Sequence, residues 1–227
     1  MLNFIVIEGI DGAGKSTQMR LLAEYMQKQG RQVRSMHFPR VETGTFGNLI
    51  AQFLRGDFGK INEVHPYLVA LLFAEDRRDA ASTLQKWIDE GCFVMVDRYV
   101  YSNVAFQGAK MSNEADRRAL REWVMRLEYE EFGIPQPQLS LFLDVPFSFT
   151  QQVLQQQRQG DDRSYLQGKQ DIHEADLKFQ QAVRQVYLEQ AALDKSFRVV
   201  SCMDEQAQKM MPCEQLFDKI KDIVDAS

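Results

Sequence analysis

The sequence predicts an α/β three-layer sandwich in which a five-stranded parallel sheet is flanked by helices. Three observations point there. Five short apolar runs punctuate the chain, at Phe4 to Glu8, Gln32 to Phe38, Cys92 to Val96, Leu139 to Val145 and Phe197 to Ser201. The stretches between them are long enough for helices, so strands alternate with helices rather than with tight turns. The first run also passes directly into a glycine-rich loop of defined spacing. Near-continuous runs of Val, Ile, Leu and Phe suit parallel strands covered on both faces.

In chain order, the first strand ends at Glu8, and a helix over 15 to 29 follows its loop and closes at Gly30, where a left-handed C-cap costs glycine little. The second strand ends in Phe38-Pro39-Arg40. Pro66 suits a first helical turn and opens a long helix that stops near Gly91. The third strand delivers Asp97-Arg98-Tyr99 at its C-terminal end. Residues 112 to 132 read as a helix started by Ser112, with Glu114 and Asp116 complementing the dipole of its first turn. Gly133, Pro135 and Pro137 end it. After the fourth strand, residues 151 to 170 are polar and glutamine-rich, with Gly160 and Gly168 around two arginines and two aspartates, and read as a mobile excursion. No repeat or linker interrupts the chain, so 1 to 227 is expected to be one domain.

Composition narrows the function. The chain has 227 residues, 44% hydrophobic and 26% charged, enough to close a core without disulfides or a structural metal. A net charge of −5 supplies no broad basic field, which disfavours nucleic-acid binding and requires any anion site to be local. Three cysteines, Cys92, Cys202 and Cys213, form no CxxC pair and read as buried thiols of a reducing compartment. No apolar stretch approaches the roughly 18 residues of a membrane span, and the N-terminus lacks a signal-peptide pattern, so a cytoplasmic location is expected.

The loop Gly9-Ile10-Asp11-Gly12-Ala13-Gly14-Lys15-Ser16-Thr17 satisfies GxxxxGK[ST] between a strand and a helix. Its glycines let successive amides point inward as an anion nest at a helix N-terminus. Lys15 then reaches the β and γ phosphates of ATP, and the Ser16 hydroxyl ligates Mg²⁺. This makes the fold a P-loop NTPase type, without separating GTPases, ATPases and kinases. Asp97, at the end of a strand neighbouring the P-loop, is placed to hold a Mg²⁺ water, a role compatible with capping the next helix. Arg98 faces the same crevice, and its planar fork suits a second phosphate group, which a simple NTPase does not need. No NKxD-like guanine signature occurs. Two phosphate clamps point to a kinase.

These residues together resemble the thymidylate kinases, P-loop enzymes that phosphorylate dTMP with ATP. The resemblance runs from Phe4 to about Val200. Beyond the P-loop it rests on Phe38-Pro39-Arg40, Leu72-Phe73-Ala74-Glu75-Asp76-Arg77, Asp97-Arg98-Tyr99 with Ser102, Ala105-Phe106-Gln107-Gly108, Pro135-Gln136-Pro137, Leu141-Phe142-Leu143-Asp144 and the lid-like Asp162-Arg163-Ser164-Tyr165. It implies that Phe73 stacks on thymine while Arg77, four residues on and on the same helical face, bonds its edge. Arg98 would clamp the dTMP phosphate with help from Arg40, and Asn103 and Gln107 would face the base. Phe38 and Phe106 would complete the substrate wall, and Asp11 would contact the sugar 3′ hydroxyl or the phosphate region. Tyr165 would cover the nucleoside or stand as a surface tyrosine. Cys202 and Met203 follow the fifth strand, where relatives place the adenine.

Two departures refine the resemblance. Many family members carry an arginine directly after the P-loop aspartate, where this chain has Gly12; others take the transition-state cation from a lid. The lid, at about 155 to 170, would then supply Arg163, with Arg158 on ATP. Some relatives also have an arginine at the position of Val41, which leaves the role of Arg40 open. The resemblance further implies a homodimer, with helices 64 to 90 and 112 to 132 as candidate faces. Lys15, Asp97, Arg98 and Arg163 form the expected catalytic set. A phosphate monoester is already a nucleophile near neutral pH, so His37, His65 and His173 are assigned no catalytic part. A kinase for another nucleotide or nucleoside, and a non-catalytic nucleotide sensor, share much of this pattern.

Overall fold

Strands β1 (Phe4–Glu8), β3 (Phe93–Asp97) and β4 (Leu139–Asp144) lie at the centre of a parallel sheet whose order is β2-β3-β1-β4-β5, with β2 (Val33–His37) and β5 (Phe197–Ser201) at its edges. The computed structural model describes residues 2–146, 148–150, 165–167, 177–207 and 209–227. Every residue of β1 and β3 is buried, as expected for runs covered by helices on both faces. Each such apolar side chain contributes about 1.5–3 kcal/mol of hydrophobic stabilisation. The edge strand β2 departs from the expectation: its sequence Val-Arg-Ser-Met-His mixes three polar with two apolar residues and none of it is fully buried, because only β3 pairs with it. A two-residue hairpin, β6 (Met203–Asp204) with β7 (Lys209–Met210), follows β5 and is too short to leave a periodic signal.

The helices are α1 (Lys15–Lys28), α2 (Gly44–Leu54), α3 (Pro66–Asp89), α4 (Val100–Gly108), α5 (Glu114–Met125), α6 (Leu177–Leu193) and α7 (Cys213–Asp225) among the described residues. Helix α3 starts at Pro66 as expected, and the ring of His65 caps it by accepting from the Tyr67 amide. Helix α5 starts one residue later than Ser112 suggests, because the Asn113 side chain caps it by accepting from the Asp116 amide. The expected helix over 112 to 132 is in fact α5 plus a π-helical turn, Arg126–Glu131, ended by Gly133 at φ 61°. Cys92 and Cys202 are buried, but Cys213 is exposed, since it lies in the first turn of α7 at the surface. No helix among the described residues is long and apolar enough to cross a membrane.

The strand register brings the site together. Parallel pairing sets Ile7 and His37 both opposite Asp97, so the ends of β1, β3 and β2 meet one another beside the glycine-rich loop. This is the carboxyl edge of the sheet, where ligands of open α/β sheets bind.

Candidate active site

A cavity of about 1000 Å³ opens at that edge, bounded by the P-loop, the loop after β2, and the inner faces of α3 and α4. Asp11, Gly12, Gly14, Lys15, Ser16 and Thr17 line it, while Gly9 and Ala13 sit behind the lining. Gly12 (φ 79°) and Gly14 (φ 81°) hold left-handed conformations that aim the loop amides, which side chains with a Cβ adopt only at a cost. Lys15 is buried, its Nζ 3.4 Å from the carbonyls of Gly9 and Ile10 and 3.8 Å from Asp97 Oδ1. Burial and then the Arg98 charge push its pKa down, with Asp97 and Asp11 acting in the opposite sense. Anionic phosphate would repair that deficit.

Asp97 is the complementary acid. Burial alone would raise its pKa, but the Lys15 ammonium and the contact from His37 Nδ1 at 3.3 Å hold the carboxyl below its usual range. Its Oδ1 is buried and makes no hydrogen bond among the described residues. This carboxylate oxygen without a hydrogen bond and Ser16 line the same cavity, and a carboxylate with a hydroxyl is a donor set that suits a hard divalent cation such as Mg²⁺. The alternative of a helix cap is not realised: Tyr99 is the N-cap of α4, and the carboxylate of Glu8 does the capping.

Arg98 stands at φ 63°, a left-handed conformation that costs a non-glycine residue about 1–3 kcal/mol. Its guanidinium donates to Asp11 Oδ1 at 3.0 Å and to the Ser102 hydroxyl at 3.3 Å, and lies 5.0 Å above the Phe106 ring. Although burial opposes its charge, Asp11 and the other neighbouring groups raise its pKa and keep it cationic. Phe106 and Phe38 are both buried cavity residues.

Helices α3 and α4 build the remaining wall. Phe73 and Arg77 both reach the cavity from α3. Arg77 is almost fully buried and forks onto Glu128 of the π-helical turn, with Nη2 to Oε1 at 2.7 Å. Asn103 donates to that same Glu128 and to the Ala70 carbonyl, which leaves its Oδ1 buried and unpartnered among the described residues. Gln107 accepts from Lys110 Nζ at 2.8 Å. Arg40 lines the cavity but gives Nε to Asp76 and Nη2 to the Asp76 carbonyl and Asp79, so much of its charge is already matched. Tyr165 closes the cavity beside Phe73, its carbonyl held by Arg55 at 2.8 Å.

Arg158, Arg163 and His173 lie outside the described residues, as does the expected lid apart from 165–167. Cys202 and Met203 do not line the cavity; Cys202 is a core thiol pushed up to about 12 by burial. The residues that sequence reasoning missed are Glu8, Glu128 and Tyr187, whose partners are distant in the chain. An acid ending an otherwise apolar strand is a faint signal for Glu8, and nothing distinguishes Glu128 from Glu130 and Glu131 beside it.

The chain matches the profile of a family described as thymidylate kinase over residues 7–210. It is 34% identical over 188 residues to the thymidylate kinase of Mycobacterium tuberculosis, covering 83% of this chain and 85% of that one. It is 33% identical over 203 residues to the probable thymidylate kinase of Pyrococcus abyssi, covering 88% of each. A solved thymidylate kinase structure from Candida albicans superposes with a TM-score of 0.73 at 23% identity, covering 99% of this chain and 92% of that one.

Proposed function

The chain belongs to the thymidylate kinase family, and from that premise we propose that its cavity moves the γ-phosphoryl group of ATP directly onto the phosphate of dTMP, giving ADP and dTDP. The observation that carries this reading is a pair of separate buried cations, Lys15 on the P-loop and Arg98 after β3, opening on one cavity. An NTP hydrolase needs the first; an enzyme whose acceptor is itself a phosphate needs both.

The loop amides and Lys15 hold the donor phosphates, and Arg98 takes the acceptor phosphate, exchanging part of its contact with Asp11 for the incoming anion. Phe73 stacks on the base, with Arg77, Asn103 and Gln107 along its edge. Phe38, Phe106 and Tyr165 shape the walls, and Asp11 and Arg40 complete the polar rim. The acceptor's oxygen attacks without a general base, because a phosphate monoester with a second pKa near 6 is mostly dianionic at neutral pH. Catalysis is therefore alignment plus charge stabilisation. Asp97 and Ser16 would hold Mg²⁺, which when bound neutralises charge on the donor phosphates. Arg163, with Arg158 on ATP, is the cation we assign to the transferring group, since Gly12 occupies the place where many relatives carry an arginine. A single domain with its lid at about 155 to 170, working as a cytoplasmic homodimer, is the form this reading favours.

The direct test is ADP release from ATP with dTMP, dUMP, dCMP, dGMP or no acceptor. Strong stimulation by dTMP is expected. ATP turnover unaffected by any acceptor would refute the kinase reading, and stimulation by another nucleotide alone would move it to a different acceptor.

A further inference from the structure

Behind Arg98 lies a buried carboxylate that no step above uses. Glu8, the last residue of β1, is fully buried and does not line the cavity. Its Oε1 accepts from the amides of Tyr99 at 2.9 Å and Ser102 at 3.2 Å; its Oε2 accepts from the hydroxyls of Ser102 at 2.5 Å and Tyr187 at 2.9 Å. Ser102 Oγ and the Tyr187 hydroxyl are themselves 2.7 Å apart. The same Ser102 oxygen receives Nη1 of Arg98 at 3.3 Å.

This arrangement does more than cap a helix. A side chain at the N-cap would satisfy the first amides of α4 from within the helix, yet Tyr99 supplies no such bond. The bond from a strand instead ties the start of α4 to the residue just before the P-loop. Arg98 is pinned on both sides, its own amide donating to the Ile7 carbonyl at 3.0 Å and the next amide donating to Glu8. Between those two bonds its backbone takes the left-handed φ of 63°. A buried carboxylate is expensive to ionise without a partner, and Arg98 is a neighbouring cation; burial holds the Glu8 pKa above the usual carboxylate range, with Ser102 and then Arg98 acting in the opposite sense.

We propose that Glu8 is a positioning residue for the phosphoryl acceptor: through the Ser102 hydroxyl and the Tyr99 and Ser102 amides, it fixes the backbone and guanidinium of Arg98 so that the acceptor's phosphate meets a preset cation. The proposal rests on the reading that Arg98 binds the dTMP phosphate, and it makes Tyr187, on α6, part of the acceptor apparatus without touching the acceptor.

The test is steady-state kinetics of the full chain with ATP and dTMP, for Glu8→Gln, Tyr187→Phe and Arg98→Ala beside the parent, with Tm measured for each. Replacing a carboxylate that accepts four hydrogen bonds by an amide with one acceptor oxygen should raise the dTMP KM of Glu8→Gln about tenfold while the ATP KM stays within about twofold. Tyr187→Phe, which leaves every cavity side chain in place, should shift the dTMP KM in the same direction by a smaller factor. Should Glu8→Gln fail to fold, Tyr187→Phe alone decides. A lower Tm with the dTMP and ATP KM values unchanged, or raised by equal factors, overturns the positioning role. An unchanged dTMP KM in Arg98→Ala overturns the underlying assignment instead, so the two failures are distinguishable.

Discussion

At Phe73, stacking on a base and packing in a core lead to opposite outcomes on truncation. The ring is half-buried, lines the cavity, and borders a small apolar cluster of Ile50, Phe53, Leu54 and Val69. Phe73→Ala is expected to weaken dTMP binding by about 1–3 kcal/mol, the scale of base stacking on aromatics, measured by calorimetry. A lower Tm with intact dTMP affinity would make it a packing residue. Lys110 gives a pH-dependent case. It donates to Gln107 and lies 5.0 Å from the Phe53 ring; burial pushes its pKa down to about 7 from 10.5, although the ring face favours the charged form. Between those values the unfolded chain binds more protons than the folded one, so this group makes stability rise with pH across that window. The Tm of the parent relative to Lys110→Met should therefore climb from pH 7 to 10, and a constant difference would show that the ammonium is solvated. Of these residues, Phe73 was legible in the sequence through the Phe-Ala-Glu-Asp-Arg run. Lys110 was not, because its burial depends on the fold bringing the Phe53 ring of α2 against it.

At the scale of elements, the close approach of α2 to the loop after β2 is decided by one glycine. A Cβ on Gly47 would stand 2.1 Å from the Arg40 carbonyl oxygen, a backbone atom with no rotamer to escape into. Gly47→Ala is expected to cost about 1–3 kcal/mol or more of stability as an overpacked contact, and to raise the dTMP KM by moving Arg40 and Phe38. Melting and kinetics together check it; a neutral variant would mean that the loop yields freely. From the sequence no element is expected over α2, whose Gly44 and Gly47 lower helix propensity, and only the neighbouring loop explains why Gly47 is there. The strands were read with boundaries close to those observed because five-residue apolar runs have few other uses in a chain of this kind. The exposed β2 was misjudged because an edge position is a property of the sheet, not of the strand.

For the whole molecule, the question is how an acidic chain binds two polyanions. With a net charge of −5, it gathers Lys15, Arg40, Arg77 and Arg98 around one cavity and partners Arg40, Arg77 and Arg98 with Asp76, Glu128 and Asp11 respectively. The field is local and pre-oriented. If Arg163 acts as proposed on the transferring group, Arg163→Ala should lower kcat by about 10³ while leaving dTMP affinity nearly intact, as for other arginines acting on a transferring phosphoryl group. An unchanged kcat would return the search to Arg158. What the sequence determined by itself was local and covalently ordered: the strand, loop and helix of the P-loop, the acid and arginine at the end of β3, and hence phosphate chemistry. Only the tertiary structure decided the supports. Glu8 meets Tyr187 and Arg77 meets Glu128 across separations of 179 and 51 residues, and a buried charge selects whichever partner the fold brings within hydrogen-bond reach, not the one nearest in the chain.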